Sequence, residues 1–544
     1  MLLYSHSVLC YPYRKDGPLQ SLLNRGENME KEKNDLGRNI ATYRKNRHLS
    51  QEALANRLFV TRQALSRWEN GITVPSPDVI QRISAELNVT IDALYGVPVY
   101  AGIDGGAVYR SYACPAEHHF EREKKTMDAN KKLRIGVFGG ARGKTMIGVL
   151  LHHPDAKLVA VCDKYEPLLE DAKRTAEEAG TEIALFRDFD EFIKYDMDAV
   201  VLANYANEHA IYAIKCLHAG LHVLSEVLPC ETMAQAVDLI EAVEKTGLVY
   251  AYAENYCYMS HTFEMWQRYR TGELGCAMYG EGEYIHDCSS IWPQITYGER
   301  NHWRNRMFPT FYCTHSLGPL ITITGMRPVR VVGFEMPLSK DMIALGGASS
   351  AGVEMVTLEN GAVLKSIHGG LKREPSSVNY ELYCEKGMME TGRLSPLQPF
   401  NLYKEGDRRC HGTWEQYTPE PKIAAESAKR YNTHGGSDFY PTHFFIEKIL
   451  GRPDGEWSID VYTAIDMGIC GILAYKSILA GNIPIDVPNL RNPAEREAWR
   501  HDNACCSPEV AGDQLLPRTS HGEPEIPDST YEKVRQLWLD GKNA

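Results

Sequence analysis

The sequence holds fourteen cysteines but no C-x-x-C pair, and only Cys505 and Cys506 stand side by side. That scatter argues against a zinc site and against the disulfide frame of a secreted domain, and it fits a reducing cytoplasm. No apolar run approaches the roughly 20 residues that a membrane-crossing helix needs. The opening MLLYSHSVLCYPYRK is too short, and too often broken by polar groups and proline, to read as a signal sequence. A positive charge excess is missing too. With 71 acidic against 59 basic side chains the chain carries −12, which argues against nucleic-acid binding by the surface at large and leaves room for one basic module. The expectation is a cytoplasmic protein with no membrane partner.

A chain of 544 residues, 43% apolar and 24% charged, has the composition of a globular protein and the length for about three domains. Residues 1–30 show no periodicity and read as a disordered or foreign leader, with Met29 placed like a natural start. Residues 31–98 carry ten Lys/Arg against seven Asp/Glu, a basic patch on an acidic chain. Residues 99–130, with GIDGG and EREKK, read as a linker, and Met127 precedes an apolar strand as at the start of a free-standing enzyme. From 131 to 255 short apolar strands (LRIGVFGG, KLVAVCD, AVVLANY, HVLSEV, LVYAYAEN) alternate with helical stretches, which predicts a parallel sheet covered on both faces. Over 256–500 the strands lengthen, with hairpin turns at Glu359-Asn360-Gly361 and Glu385-Lys386-Gly387, which predicts a mixed or antiparallel sheet domain. Residues 501–544, rich in proline, read as an irregular tail ending in the short helix STYEKVRQLWLDG. The fold class expected is α/β with a second, α+β sheet domain, preceded by a small all-α domain.

In the basic segment, Leu54, Leu58, Leu65 and Trp68, then Ile80, Ile83, Leu87 and Leu94, recur at helical spacing and can close a five-helix core. Ser50 is placed to cap one helix and Thr61 the next. SQEALANRL and TRQALSRWENG carry the resemblance of this segment to the Cro/repressor-type (XRE) helix-turn-helix family. The resemblance implies DNA as partner, with Arg62, Gln63 and Ser66 near base edges and Gln51 and Asn70 on phosphates.

The turn after the strand LRIGVF reads Gly139-Gly140-Ala141-Arg142-Gly143-Lys144, a dinucleotide turn with alanine at its second glycine position. The next strand ends at Asp163, 24 residues after Gly139, where an acid accepts bonds from both ribose hydroxyls and repels a 2′-phosphate. That favours NAD over NADP; the alternative is a helix cap at Asp163.

The short matches ARG, EV, AENYCY, YIHD, HWR, YCTHSLGP and HGGSDF stand in order along residues 133 to about 490. On them this span resembles the Gfo/Idh/MocA oxidoreductases, and within these the NAD-dependent glycosidases of glycoside hydrolase family 109. The resemblance implies NAD as cofactor, with Arg142, Gly143 and Asp163 on the adenosine and pyrophosphate side and Asn207, Glu208, His209, Glu226, Val227 and Asn255 along the rest of its path. It implies a sugar or glycoside substrate, pairing of subunits into a dimer or tetramer through the open sheet, and a redox-neutral cycle: oxidation at the sugar C3, elimination of the aglycone, addition of water, and reduction by the same cofactor. The chain departs from the family at Cys313, where proline is usual, at Ser437, where methionine is usual, and in the extra residue between Glu226 and Pro229.

Simple dehydrogenases of this superfamily place a lysine beside that glutamate. Here Val227 and Leu228 cannot ionise, so proton traffic falls to other groups. Tyr284 and His286 share a face of one strand, Tyr312 and His315 lie one helical turn apart, and a tyrosine beside histidine or NAD⁺ can be lowered into working range. These four are the expected catalytic residues. Tyr284, Arg304, Tyr312 and His315 are expected on substrate, with Arg304 as a donor fork. His434 is expected to shape the site, and a metal held by His286, Asp287 and His315 is the alternative for that cluster. The competing activities are an ordinary NAD-dependent sugar or inositol dehydrogenase, and a transcription regulator whose enzyme-like body senses sugar or NAD.

Overall fold

The computed structural model describes residues 28–46, 49–58, 60–75, 77–87, 94, 132–348, 351–373, 375–393, 399–406, 412–431 and 436–543. The expected linker, most of the leader and His434 lie outside them. The chain divides into two units, Met1–Tyr112 and Ala113–Ala544.

The first unit shows four helices among its described residues, Asn28–Asn46, Gln51–Arg57, Arg62–Glu69 and Pro77–Leu87. Leu54, Leu58, Leu65, Ile80, Ile83, Leu87 and Leu94 close its core as the spacing predicts, joined by Leu36 and Ile40 of the first helix. Both caps form: the Ala53 amide donates to Ser50 Oγ at 3.0 Å and the Ala64 amide to Thr61 Oγ1 at 3.2 Å. Glu69 ties the module together, accepting from Arg44 Nε at 2.6 Å and from Gln51 Nε2 at 2.8 Å.

The second unit opens with six parallel strands: β1 (Leu133–Phe138), β2 (Ala156–Cys162), β3 (Ala184–Phe186), β4 (Ala199–Leu202), β5 (His222–Ser225) and β6 (Tyr250–Tyr252). Their order is β3-β2-β1-β4-β5-β6. This doubly wound arrangement puts the ligand edge at the C-terminal ends of the strands. The second sheet has nine strands: β7 (Ala277–Ile285), β8 (Pro328–Glu335), β9 (Ala351–Leu358), β10 (Val363–Gly369), β11 (Ser377–Cys384), β12 (Gly387–Glu390), β13 (Phe400–Lys404), β14 (Thr413–Tyr417) and β15 (Ile485–Asp486). It runs β14-β13-β12-β11-β7-β10-β9-β8-β15, antiparallel except where β7 meets β10. The helices Ser260–Arg270, Thr314–Thr324 and Val461–Leu479 pack on one side of it. The other side carries polar ladders such as Lys365 Nζ to Glu281 at 2.6 Å.

One expectation needs correction. The stretch Pro453–Leu479 is long and apolar enough, by length and composition, to cross a membrane, and 72% of its qualifying window is buried in the fold. Asp466 and Lys476 interrupt the apolar run in the sequence and hide this. The tail ends in the helix Asp528–Asn543, over the stretch STYEKVRQLWLDG, and buries Tyr531 and Val534.

Candidate active site

The strand ends of the first sheet assemble the expected cofactor residues. A Cβ at Gly143 would stand 2.1 Å from the Gly139 carbonyl oxygen, and Gly139 itself has φ +100 with the Ala203 carbonyl at 2.4 Å from its virtual Cβ. The turn closes only with glycine at both places. After β2, the Asp163 oxygens accept from the backbone amides of Gly140 at 2.7 Å and Tyr165 at 2.8 Å. Asp163 therefore braces the turn, and each of its oxygens keeps a second lone pair for a ribose hydroxyl. Beyond β4, His209 Nδ1 meets the Leu228 carbonyl at 3.1 Å, and burial pushes this imidazole down to about 4, so it is neutral. Asn207 Oδ1 and His209 Nε2 are buried without hydrogen-bond partners in the protein. Orphaned polar atoms along a strand edge, a glycine cradle and a ribose-side acid fit a bound NAD.

Arg142, at the same turn, points its Nη2 to Glu226 Oε1 at 2.7 Å and to Asp438 Oδ1 at 2.9 Å. Asp438, fully buried, also accepts from Asn255 Nδ2 at 3.1 Å. Burial raises the Glu226 carboxyl, and Arg142 opposes that rise. Glu208 is likewise pushed up by burial, with Asn204 Nδ2 at 3.1 Å opposing it.

The four expected catalytic residues come together. The Tyr284 hydroxyl lies 3.0 Å from His286 Nδ1. The His315 ring centroid stands 4.8 Å from that of Tyr284 and 4.9 Å from that of Tyr312. Arg304 lies 5.5 Å over the Tyr312 ring and 4.4 Å over Trp303. Beside histidine alone the phenols are not lowered. Burial holds Tyr284 and Tyr312 above the ordinary tyrosine value, and Arg304 pulls both down less than burial lifts them. Both are hydroxyl donors in this site. The alternative metal group is not assembled: Asp287 faces Lys372 Nζ at 3.0 Å, and among the described residues no three His, Cys, Asp or Glu side chains form a metal-holding group.

Three residues escaped the sequence reading. Glu254 Oε1 lies 2.6 Å from His315 Nδ1, with both side chains buried. It fixes the imidazole's orientation from the end of β6. Tyr256 fills the gap, its centroid 4.4 Å from His315 and 5.2 Å from Tyr284. Buried His302 is pushed down to about 3 by burial and then by Arg304. Glu254 and Tyr256 lie inside AENYCY, and His302 opens HWR, so the signal was present as motif membership without a partner.

Glu231, beyond Pro229, accepts a hydrogen bond from the Ser507 hydroxyl. Burial lifts its carboxyl from 4.5 to about 7, with Ser507 opposing. A folded value above the unfolded one means that folding takes up a proton, so this stabilisation is fully present below 4.5 and is lost as the pH rises through about 7. Glu231→Gln removes that titration. Melting temperatures across this pH range are expected to fall less steeply for the variant than for the parent.

Residues 133–254 match a family model described as oxidoreductase family, NAD-binding Rossmann fold, and residues 40–94 match one described as helix-turn-helix. The chain is 25% identical over 398 residues to glycosyl hydrolase family 109 protein 1 of Bacteroides thetaiotaomicron, covering 66% of this chain and 84% of that protein. It is 24% identical over 444 residues to an alpha-N-acetylgalactosaminidase of Tannerella forsythia, covering 71% and 91%. Among solved structures, a levoglucosan dehydrogenase in complex with NADH and L-sorbose shares the fold with a TM-score of 0.53 at 17% identity, over 66% of this chain and all of that one. An oxidoreductase domain protein from Kribbella flavida does so at 0.53 and 16%, over 66% of this chain and 100% of its own. Residues 133–254 therefore match the NAD-binding Rossmann fold of the oxidoreductase family, behind a segment that matches a helix-turn-helix, and over its enzyme-like part the chain is similar to the glycosyl hydrolase family 109 proteins.

Proposed function

We propose that this enzyme cleaves glycosides by a redox-neutral cycle: oxidation of a sugar C3 hydroxyl, elimination of the aglycone across C1 and C2, addition of water, and reduction at C3. The observation that carries this reading is the ring cluster Tyr284, His286, Tyr312 and His315, with His315 braced by Glu254 at 2.6 Å and no lysine after Glu226. When bound, NAD supplies the acceptor for the electron pair of the C3–H bond and returns that pair at the end of the cycle. Glu254 occupies His315 Nδ1, so proton exchange with the C3 hydroxyl runs through Nε2. The Tyr284–His286 pair is the second relay, receiving the C2 proton and giving one to the departing aglycone oxygen. Arg304 and the protonated Tyr312 hydroxyl hold the sugar by donation. The nearby carboxylates Glu226 and Asp438 are tied up by Arg142, so the carboxyl pair of an ordinary glycosidase has no counterpart in this cluster.

Incubating the purified protein with aryl glycosides and no added NAD is expected to release aglycone without net NADH, with solvent deuterium at C2 of the product. Net NADH accumulation would establish the sugar or inositol dehydrogenase instead.

For the N-terminal unit we infer DNA contact through the helix Arg62–Glu69, whose Arg62 and Gln63 are exposed. Arg62→Ala is expected to weaken binding to the cognate operator by about 1–3 kcal/mol in a salt titration. Equal affinity of parent and variant would refute that contact. Gln51 Nε2 donates to Glu69 and Asn70 Nδ2 to the Ser66 carbonyl, both at 2.8 Å, so each proposed phosphate contact would compete with a bond inside the unit; Asn70 is the exposed one of the two.

A further inference from the structure

The segment 297–306 touches two regions that the sequence keeps far apart: the dinucleotide groove and the C-terminal helix Asp528–Asn543. On the groove side, the His302 ring stands 4.8 Å from that of Tyr205 and 5.9 Å from that of Tyr297. The Tyr205 hydroxyl donates to Glu299 at 3.3 Å, and Lys164 Nζ lies 4.5 Å above the Tyr205 ring. Lys164 follows Asp163 directly in the chain, at the ribose-side end of β2. The inner side of the segment therefore stands over the ribose end of the groove.

On its outer side the segment meets the tail. The Trp538 ring lies 5.4 Å from Tyr297, and Asp528 forms an ion pair with Arg300. Gly298 has φ +65, and a Cβ there would stand 2.4 Å from the backbone nitrogen of Arg535, so the helix rests directly on the loop's backbone. Arg518 Nη1 donates to the Asn305 carbonyl at 3.2 Å, and Arg306 pairs with Glu509 at 2.8 Å. Tyr531, buried, donates to the Gly346 carbonyl at 3.3 Å and anchors the helix to the sheet domain. Tyr297 itself has φ 57, a left-handed conformation that a bulky residue keeps only when its surroundings impose it.

We propose that the C-terminal helix is a strap that holds Tyr297–His302 as a roof over the adenosine end of the cofactor groove, with Trp538 and Asp528 as positioning residues, so that one NAD stays with the protein through successive turnovers. The strap rests on the redox-neutral reading, in which the cofactor that accepts the electron pair must be the one that returns it. Loss of the Trp538 contact leaves Tyr297 free to relax out of its left-handed conformation and opens the ribose end to solvent.

The test uses the full-length protein and its Trp538→Ala, Trp538→Phe and Asp528→Asn variants, loaded with NADH and then diluted, with release read from the fluorescence of bound NADH. Trp538→Ala is expected to release NADH about tenfold faster or more, to need added NAD for turnover, and to keep kcat at saturating NAD within about twofold of the parent. Trp538→Phe restores retention. Asp528→Asn, which removes an exposed ion pair, shifts release in the same direction by less and leaves the thermal transition in place. Unchanged release in Trp538→Ala and Asp528→Asn, with melting temperatures like the parent's, overturns the strap. If Trp538→Ala does not fold, the release rate of Asp528→Asn decides alone. A parent protein that takes up no NADH at all overturns the NAD reading, and the strap with it, and so stands apart from failure of the strap alone.

Discussion

Replacing His315 with asparagine lowers kcat by about 10²–10⁴-fold, the range supplied by a positioned general acid–base, while NADH binding stays at the parent level. The two readouts separate because His315 sits among aromatic rings on the helix Thr314–Thr324, whereas the glycine turn, Asp163 and Asn207 belong to the other sheet. Asparagine preserves a polar group for Glu254 but cannot exchange a proton near neutral pH. Glu254→Gln gives the companion result. It keeps the shape but removes the carboxylate that orients Nδ1 at 2.6 Å, so kcat is expected to fall while NADH binding stays at the parent level. Parental kcat in His315→Asn would remove this histidine from the chemistry, and parental kcat in Glu254→Gln would reduce Glu254 to a packing residue.

The largest expected effect on stability is at Arg142. Arg142→Met leaves Glu226, 4% exposed, and Asp438, fully buried, without the guanidinium that bridges them. Removing one partner of a buried charge network costs about 3–5 kcal/mol, because the remaining charges stay desolvated. The pH dependence has a definite sign. Without the arginine nothing offsets the burial that raises the Glu226 carboxyl, so the variant is most stable at acid pH and loses stability as the pH rises through that raised value. Thermal melts at about pH 5 and pH 8 should thus separate parent and variant most at the higher pH. Adding Asp438→Asn to Arg142→Met removes one of the two charges and should recover part of the loss. A variant whose deficit is equal at both pH values would show that Arg142 acts through packing alone.

Local pattern made much of this fold legible. Five of the six Rossmann strands were evident as apolar runs, and β9–β10 and β11–β12 pair across the turns at Asn360 and Lys386. β3 was not, since Ala184–Phe186 is three residues long and carries no periodicity. His286 lies one residue past the end of β7, yet the two-residue repeat of the strand still brings it to 3.0 Å from the Tyr284 hydroxyl. Contacts at long sequence separation left no such trace. Glu254 and His315 are 61 positions apart, and Arg142 and Asp438 are 296 apart. Motif membership nominated these residues, but only the fold pairs them. The rise of the tyrosine values left no trace for the same reason, since desolvation depends on what covers the phenol and not on its neighbours in the chain.

The helix Phe439–Ile449 belongs to the chain's second half, yet Phe445 and Ile446 lie in the core of the first sheet beside Val137 and Leu158. The polypeptide leaves the Rossmann half and returns to finish its interior. The first sheet's interior is finished by a helix from the other half, so the two are expected to fail as separate pieces and to melt in a single calorimetric transition.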